Sequence, residues 1–138
     1  MSRRRALIGD EEKIDIELDT NFFSSSDPDY IDGQYITGAS VGTKNYTFSS
    51  WSVYGTSGFM PYDSRCIFVT TKLTSSNSKL LVLSEDKTVM YYTADGSYIN
   101  GSAGQERIQA KEAELGIKAK YVRISTTAKS SATYKRTA

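Results

Sequence analysis

The run Leu80-Leu81-Val82-Leu83, followed by the polar turn Ser84-Glu85-Asp86-Lys87 and a second run Thr88-Val89-Met90-Tyr91-Tyr92, constrains this chain most. Two apolar, β-branched and aromatic runs separated by a short polar turn read as an antiparallel hairpin. Further along, Ala119-Lys120-Tyr121-Val122-Arg123-Ile124-Ser125 alternates along a strand. Val122 and Ile124 are two apart and share a face, while Tyr121 and Arg123 point the other way. If Arg123 is only solvated, its removal is mild. A hairpin followed by an alternating strand is how an antiparallel sandwich finishes.

The rest of the chain fits such a fold. Ile14-Asp15-Ile16-Glu17-Leu18-Asp19 alternates apolar with acidic, a strand pattern whose outward acids discourage stray edge pairing. Residues 21–29 form a loop broken by Ser24-Ser25-Ser26-Asp27-Pro28. Strand-like pieces follow at 30–37, Tyr46-Thr47-Phe48, Trp51-Ser52-Val53-Tyr54 and 67–73, with Pro61 arguing against a central strand after Phe59-Met60. Residues 105–115 (QERIQAKEAEL) are the one helix-like piece, with sparse apolar positions. They read as a surface helical turn or as extended polar chain. Short strands with turn chemistry between them predict an all-β antiparallel β-sandwich, jelly-roll-like in form, with extended N- and C-terminal arms. The expected division is an N-terminal arm over 1–12, a sandwich domain over 13–126 and a basic C-terminal tail over 127–138.

Charge is uneven although the net value over 138 residues is only +1. Nine acids stand between Asp10 and Asp32 against the single base Lys13, and six bases and no acid follow Glu114. Ordinary solvated surface is one reading. Head-to-tail contact between copies is the sharper one, with Arg3, Arg4, Arg5, Lys129, Lys135 and Arg136 as the assembly contacts. Three arginines without aromatic neighbours make nucleic acid an improbable partner.

The single cysteine, Cys66, rules out an intrachain disulfide and reads as a small buried hydrophobe. No apolar run approaches the ~18 residues of a membrane helix, and Ala6-Leu7-Ile8 is too short for a signal peptide. A soluble intracellular product is expected, with no membrane partner.

Histidine is absent, which removes the commonest general base, the Ser-His and Cys-His nucleophile systems and most zinc sites. There is no phosphate loop and no GxGxxG. Asp63, Glu85, Asp86 and Asp95 lie in turn sequence and read as turn formers. Asp95-Gly96 and Asn100-Gly101 lack the ligand spacing of a calcium loop. No enzyme activity and no cofactor are expected. Binding is the better class. Tyr46, Trp51 and Tyr54, near Phe59 and interleaved with Ser and Gly, form a possible glycan platform. The plainer alternatives are that Trp51 and Phe48 belong to the core, or to a subunit interface.

The chain resembles the small jelly-roll modules of tailed-bacteriophage virion proteins, both head decoration or head-fibre proteins and tail-fibre or baseplate pieces. The matching residues are Tyr35-Ile36-Thr37-Gly38, Ser50-Trp51-Ser52, Phe59-Met60-Pro61, the run from Leu81 to Lys87 and the closing run from Ala119 to Ser125. Ser84-Glu85 stands where these modules often have Tyr-Asp, and the Pro usual before the closing run is missing from Leu115-Gly116-Ile117-Lys118. The resemblance implies a virion structural role and, in some relatives, adhesion to a host-surface glycan. A short chain with arms and no visible shaft suits a capsid decoration protein in multiple copies, held by the major capsid protein or neighbouring subunits. A head-fibre or tail-fibre adhesin is the alternative.

Overall fold

The computed structural model describes residues 20–69 and 72–137. The expected arm over 1–12, with Arg3, Arg4 and Arg5, and the expected strand over 14–19 lie outside them. Eight strands and one α-helix follow in order: β1 (Ile31–Ala39), β2 (Tyr46–Thr56), β3 (Met60–Pro61), β4 (Cys66–Phe68), β5 (Ser78–Ser84), β6 (Val89–Thr93), α1 (Ser102–Leu115), β7 (Ala119–Thr126) and β8 (Tyr134–Arg136). A 3-10 turn, Gly96–Asn100, leads into α1.

The fold is all-β, antiparallel and sandwich-like, as expected. Its layers are unequal. A six-stranded sheet runs β1-β2-β7-β5-β6, with β3 also paired to β7, and β4 and β8 form a separate pair. The large sheet curls until its two edge strands meet. The Tyr92 hydroxyl of β6 donates to the Ile36 carbonyl of β1 at 3.0 Å. The turn between β1 and β2 bonds the outer edge of β6, with Gly42 N–H donating to Val89 O and Val89 N–H to Thr43 O.

Curling explains why Leu80, Leu81, Val82 and Leu83 are all fully buried. Inside the curl, Leu81, Leu83 and Val89 pack on Ile36. On the opposite face, Leu80, Val82, Val122 and Ile124 pack beneath Phe68, Tyr134 and Ile108. Strands β5 and β7 therefore separate two cores, and each buried Leu or Ile contributes roughly 1.5–3 kcal/mol. Cys66 is buried in the second of these cores.

Three expectations are corrected. The segment expected as a tail over 127–138 is part of the domain over its described residues, 127–137. Its strand β8 pairs with β4, Tyr134 is fully buried, and the domain extends to the end of the described chain. The strand expected over 67–73 closes after Phe68. Residues 102–115 form a true helix, although only Gly104 and Ile108 are buried along it. Close approach holds it instead of an apolar stripe: a Cβ on Gly104 would collide with the Tyr98 carbonyl. Gly116, in the left-handed region at φ 71°, ends it by donating to Glu112 O.

The β4–β8 pair has an asparagine at each edge. On β4, Phe68 N–H donates to Asn100 Oδ1 and Asn100 Nδ2 donates to Phe68 O, at 2.8 and 2.9 Å. On β8, Tyr134 N–H donates to Asn21 Oδ1 and Asn21 Nδ2 donates to Ala132 O, at 2.9 and 3.2 Å. A carboxamide carries the same donor and acceptor as a peptide group. Each thus occupies a sheet edge that would otherwise template another strand.

Candidate functional site

The register of β1 against β2 breaks where the sequence places its aromatic segment. Asp32 lies opposite Gly55 and Gln34 opposite Ser50. One residue, Gly33, therefore faces four, Trp51 to Tyr54, and the extra residues bulge outward. Gly33 sits at φ 79°, where a side chain would be strained.

Lys129 fills the space beneath the bulge. Its Nζ donates to Ser52 O at 2.8 Å and to Tyr54 O at 3.3 Å, and pairs with Asp32 Oδ1 at 2.8 Å. The Tyr30 hydroxyl also donates to Asp32 Oδ1, at 3.0 Å. Gly55 admits the Tyr30 ring, since a Cβ there would overlap the Tyr30 hydroxyl. The hydrogen bonds from Lys129 and Tyr30 hold the Asp32 carboxyl below its ordinary value. Lys129, expected as an assembly contact in a free tail, is thus engaged within its own chain. Lys135 and Arg136 are half-buried members of β8, not parts of an arm.

Above the bulge three aromatic rings pack together. Tyr35 stacks on Tyr54 with centroids 4.7 Å apart. Trp51 sits 5.5 Å from Tyr54 and 6.3 Å from Tyr35, tilted and edge-on. Tyr54 is buried, Tyr35 is half-buried, and Trp51 is 53% exposed. Trp51 is therefore a surface residue and not core. Among the described residues nothing hydrogen-bonds to the Trp51 indole N–H or the Tyr35 hydroxyl.

Two of the three expected platform residues come together, and the third does not. Tyr46 lies inside the curl with Phe48, 5.7 Å away, beside Arg123. Alternation separates it from Trp51: even-numbered Tyr46 and Phe48 face inward, and odd-numbered Thr47 and Ser49 face out. Tyr35 takes its place. The signal for Tyr35 was its own alternation in β1, next to inward Ile36, but the partner strand could not be read from sequence.

The inward aromatic group encloses Arg123, which is only 4% exposed. Its Nε donates to Ser57 O, Nη1 to the Tyr46 hydroxyl and Nη2 to Asp29 O, all within 2.9 Å. Phe59 and Phe48 lie 4.7 and 5.7 Å from its guanidinium. Such stacking and forked donation suit an arginine and no other cation. Three short polar links to two carbonyls and a tyrosine tie the loop before β1 to β7, a structural task. Arg123 is not merely solvated, so the condition for a mild effect of its removal is not met, because the curl buries both faces of β7 around it.

The turn acids stay in turns. Asp86 accepts from the Ser84 and Thr88 hydroxyls and the Thr88 N–H, which pull its carboxyl down to about 2. Asp63 is held low by bidentate contact with Arg65. Asp95 caps the 3-10 turn. Among the described residues no cluster of three or more acids or cysteines could hold a metal, and no helix is long and apolar enough to cross a membrane. Comparison with protein-family models, curated proteins and solved structures finds no match to this chain.

Proposed function

We propose that this protein is a non-enzymatic structural subunit of a bacteriophage particle, a capsid decoration protein that binds the major capsid protein or its neighbours in many copies. One observation supports this above the others. Two of the runs that carry the resemblance to virion jelly-roll modules, Leu81 to Lys87 and Ala119 to Ser125, are β5 with the turn that leads into β6, and the β7 strand. These two runs cross the frame of the fold, where two cores meet.

With segment 127–137 inside the domain, attachment falls to the N-terminal residues 1–12 and to the projecting bulge, whose Trp51 and Val53 are 53% and 43% exposed. Mass spectrometry of purified particles tests the role through copy number. Hundreds of copies fit decoration, and a few to tens fit a fibre. Absence from particles rejects both. A second reading, a head-fibre or tail-fibre module that holds a host-surface glycan, is favoured by the exposure of Trp51.

A further inference from the structure

The outer face of the β1–β2 ribbon is a continuous strip. Tyr35 pairs with Ser49, and Gly38 with Thr47. Thr37, extra to the register there, joins its hydroxyl to that of Thr47 at 2.7 Å. Trp51 stands at one end over Tyr35. At the other end is a shallow cleft between Gly38 and Thr47, closed by Lys44 and Asn45. From Trp51 to Thr47 the strand advances about 13 Å at 3.3 Å per residue.

We infer that this strip is a saccharide-binding site for an uncharged glycan, with one ring stacked on Trp51 and Tyr35 and the next lying along Ser49, Thr47 and Thr37. The inference deepens the second reading and does not depend on the decoration role.

Each part of the strip matches a feature of that ligand. The apolar face of a pyranose needs an aromatic surface that is exposed yet rigid. Trp51 is exposed, while the buried Tyr54 and the Lys129 anchor beneath it fix its position. Sugar hydroxyls need donors and acceptors that are not already committed. The Tyr35 hydroxyl, the indole N–H and the Ser49 hydroxyl have no partner among the described residues. Thr37 and Thr47 hold each other's hydroxyls, and each oxygen can still accept. The charges near the bulge, Asp32 and Lys129, neutralise each other, and Lys44 stands at the far end opposite Asp86 at 3.9 Å. A sialylated or uronic acid chain finds no arginine on the strip to pair with. A proline-rich peptide would use the rings, but not the row of hydroxyls.

Because Trp51 is the chain's one tryptophan, its fluorescence reports on the site directly. The full chain is titrated with chitohexaose, cellohexaose, maltohexaose and yeast mannan, with polysialic acid and decaproline in parallel. The inference expects a saturable blue shift with at least one neutral glycan, little changed by 0.5 M salt (about a 4 Å screening length). Calorimetry should show affinity for that glycan lowered roughly tenfold or more in Trp51→Ala and in Tyr35→Ala, and unchanged in Ile117→Ala, which lies off the strip. No saturable response to any neutral glycan overturns the inference. So does a response to decaproline or polysialic acid alone, a shift that tracks protein concentration instead of ligand, or binding insensitive to both aromatic variants. Copy number on particles is unaffected by any of these results, so the two readings fail separately.

Discussion

Lys129 and Asp32 are 97 residues apart in sequence and 2.8 Å apart in space, and the contact anchors the bulge that carries the exposed Trp51. The same ammonium reaches two carbonyls of the bulge. Replacing Lys129 by Met keeps the apolar stem and removes all three donors. The bulge should then loosen while both cores stay intact. The expected result is a red-shifted, more easily quenched Trp51 emission with unchanged far-ultraviolet circular dichroism. An unaltered emission spectrum would show that the rings alone fix the bulge.

The acid limb of stability should carry the same contact. Asp32 is depressed in the folded state, through its hydrogen bonds to Lys129 and Tyr30. A depressed carboxyl gives stability that is present above the unfolded value near 3.8 and is lost as pH falls through the lower folded value. Urea midpoints between pH 6 and pH 2 should decline less in Asp32→Asn than in the parent chain.

The alkaline limb has the opposite origin. Burial, helped by the hydrogen bond to Asp32, raises the Tyr30 hydroxyl from 10.0 to about 12. Burial raises the Cys66 thiol from 9.0 to about 11, with nearby Asp63 adding to it. Both groups are neutral when folded and ionise sooner when unfolded, so stability is full below pH 9 and falls as pH rises towards 12. Cys66→Ala should flatten the first part of that fall. Native Cys66 should react with a thiol reagent only at the rate of opening.

Removing Arg123 should be costly. Arg123→Ala takes the donors from buried Ser57 O and from the partly buried Asp29 O and Tyr46 hydroxyl, and empties the space between two phenylalanines. We expect a loss of about 3–5 kcal/mol, and more than half of it in Arg123→Lys, which cannot donate in a planar fork. Ile124→Ala, on the other face of the same strand, should cost roughly 2–5 kcal/mol through its cavity. Equilibrium unfolding in urea checks both. A loss under ~1 kcal/mol for Ile124→Ala is outside the range for a fully buried site.

The two edge asparagines give a paired test. Asn100→Ala exposes a donor and an acceptor on β4, and Asn21→Ala does so on β8. Each should lower stability by about 1–3 kcal/mol and each should raise self-association, read by sedimentation velocity. Leucine at either position should aggregate most, since it leaves the edge open and adds apolar surface.

The hairpin and the closing strand were legible because their apolar runs are long enough for period and turn chemistry to agree. Their double-sided burial explains why they read so clearly. Strand β8 was hidden: Tyr134 is one aromatic in a basic, hydroxyl-rich stretch, and only its partner β4 shows that it is core. The helix was underread because Gly104 holds it by contact with Tyr98, which leaves no apolar stripe. The bulge reads as ordinary strand, since Trp51-Ser52-Val53-Tyr54 alternates correctly and Gly33 is distant in sequence. Lys129 read as a tail charge for the same reason: nothing local to it announces Asp32. Of the three residues expected as a glycan platform, Trp51 and Tyr54 stand together and Tyr46 lies on the other side of its strand.

Tyr134 sits at the centre of the larger core, against Phe68 at 5.0 Å and with its hydroxyl on Pro61 O. It belongs to the strand synthesised after all the others in this domain. A nascent chain that has already emitted its hairpin and helix still lacks the ring that packs on Phe68 and Phe22. The domain can settle only once that strand has cleared the ribosome, and a message truncated before Tyr134 should yield a product that chaperones hold or proteases remove.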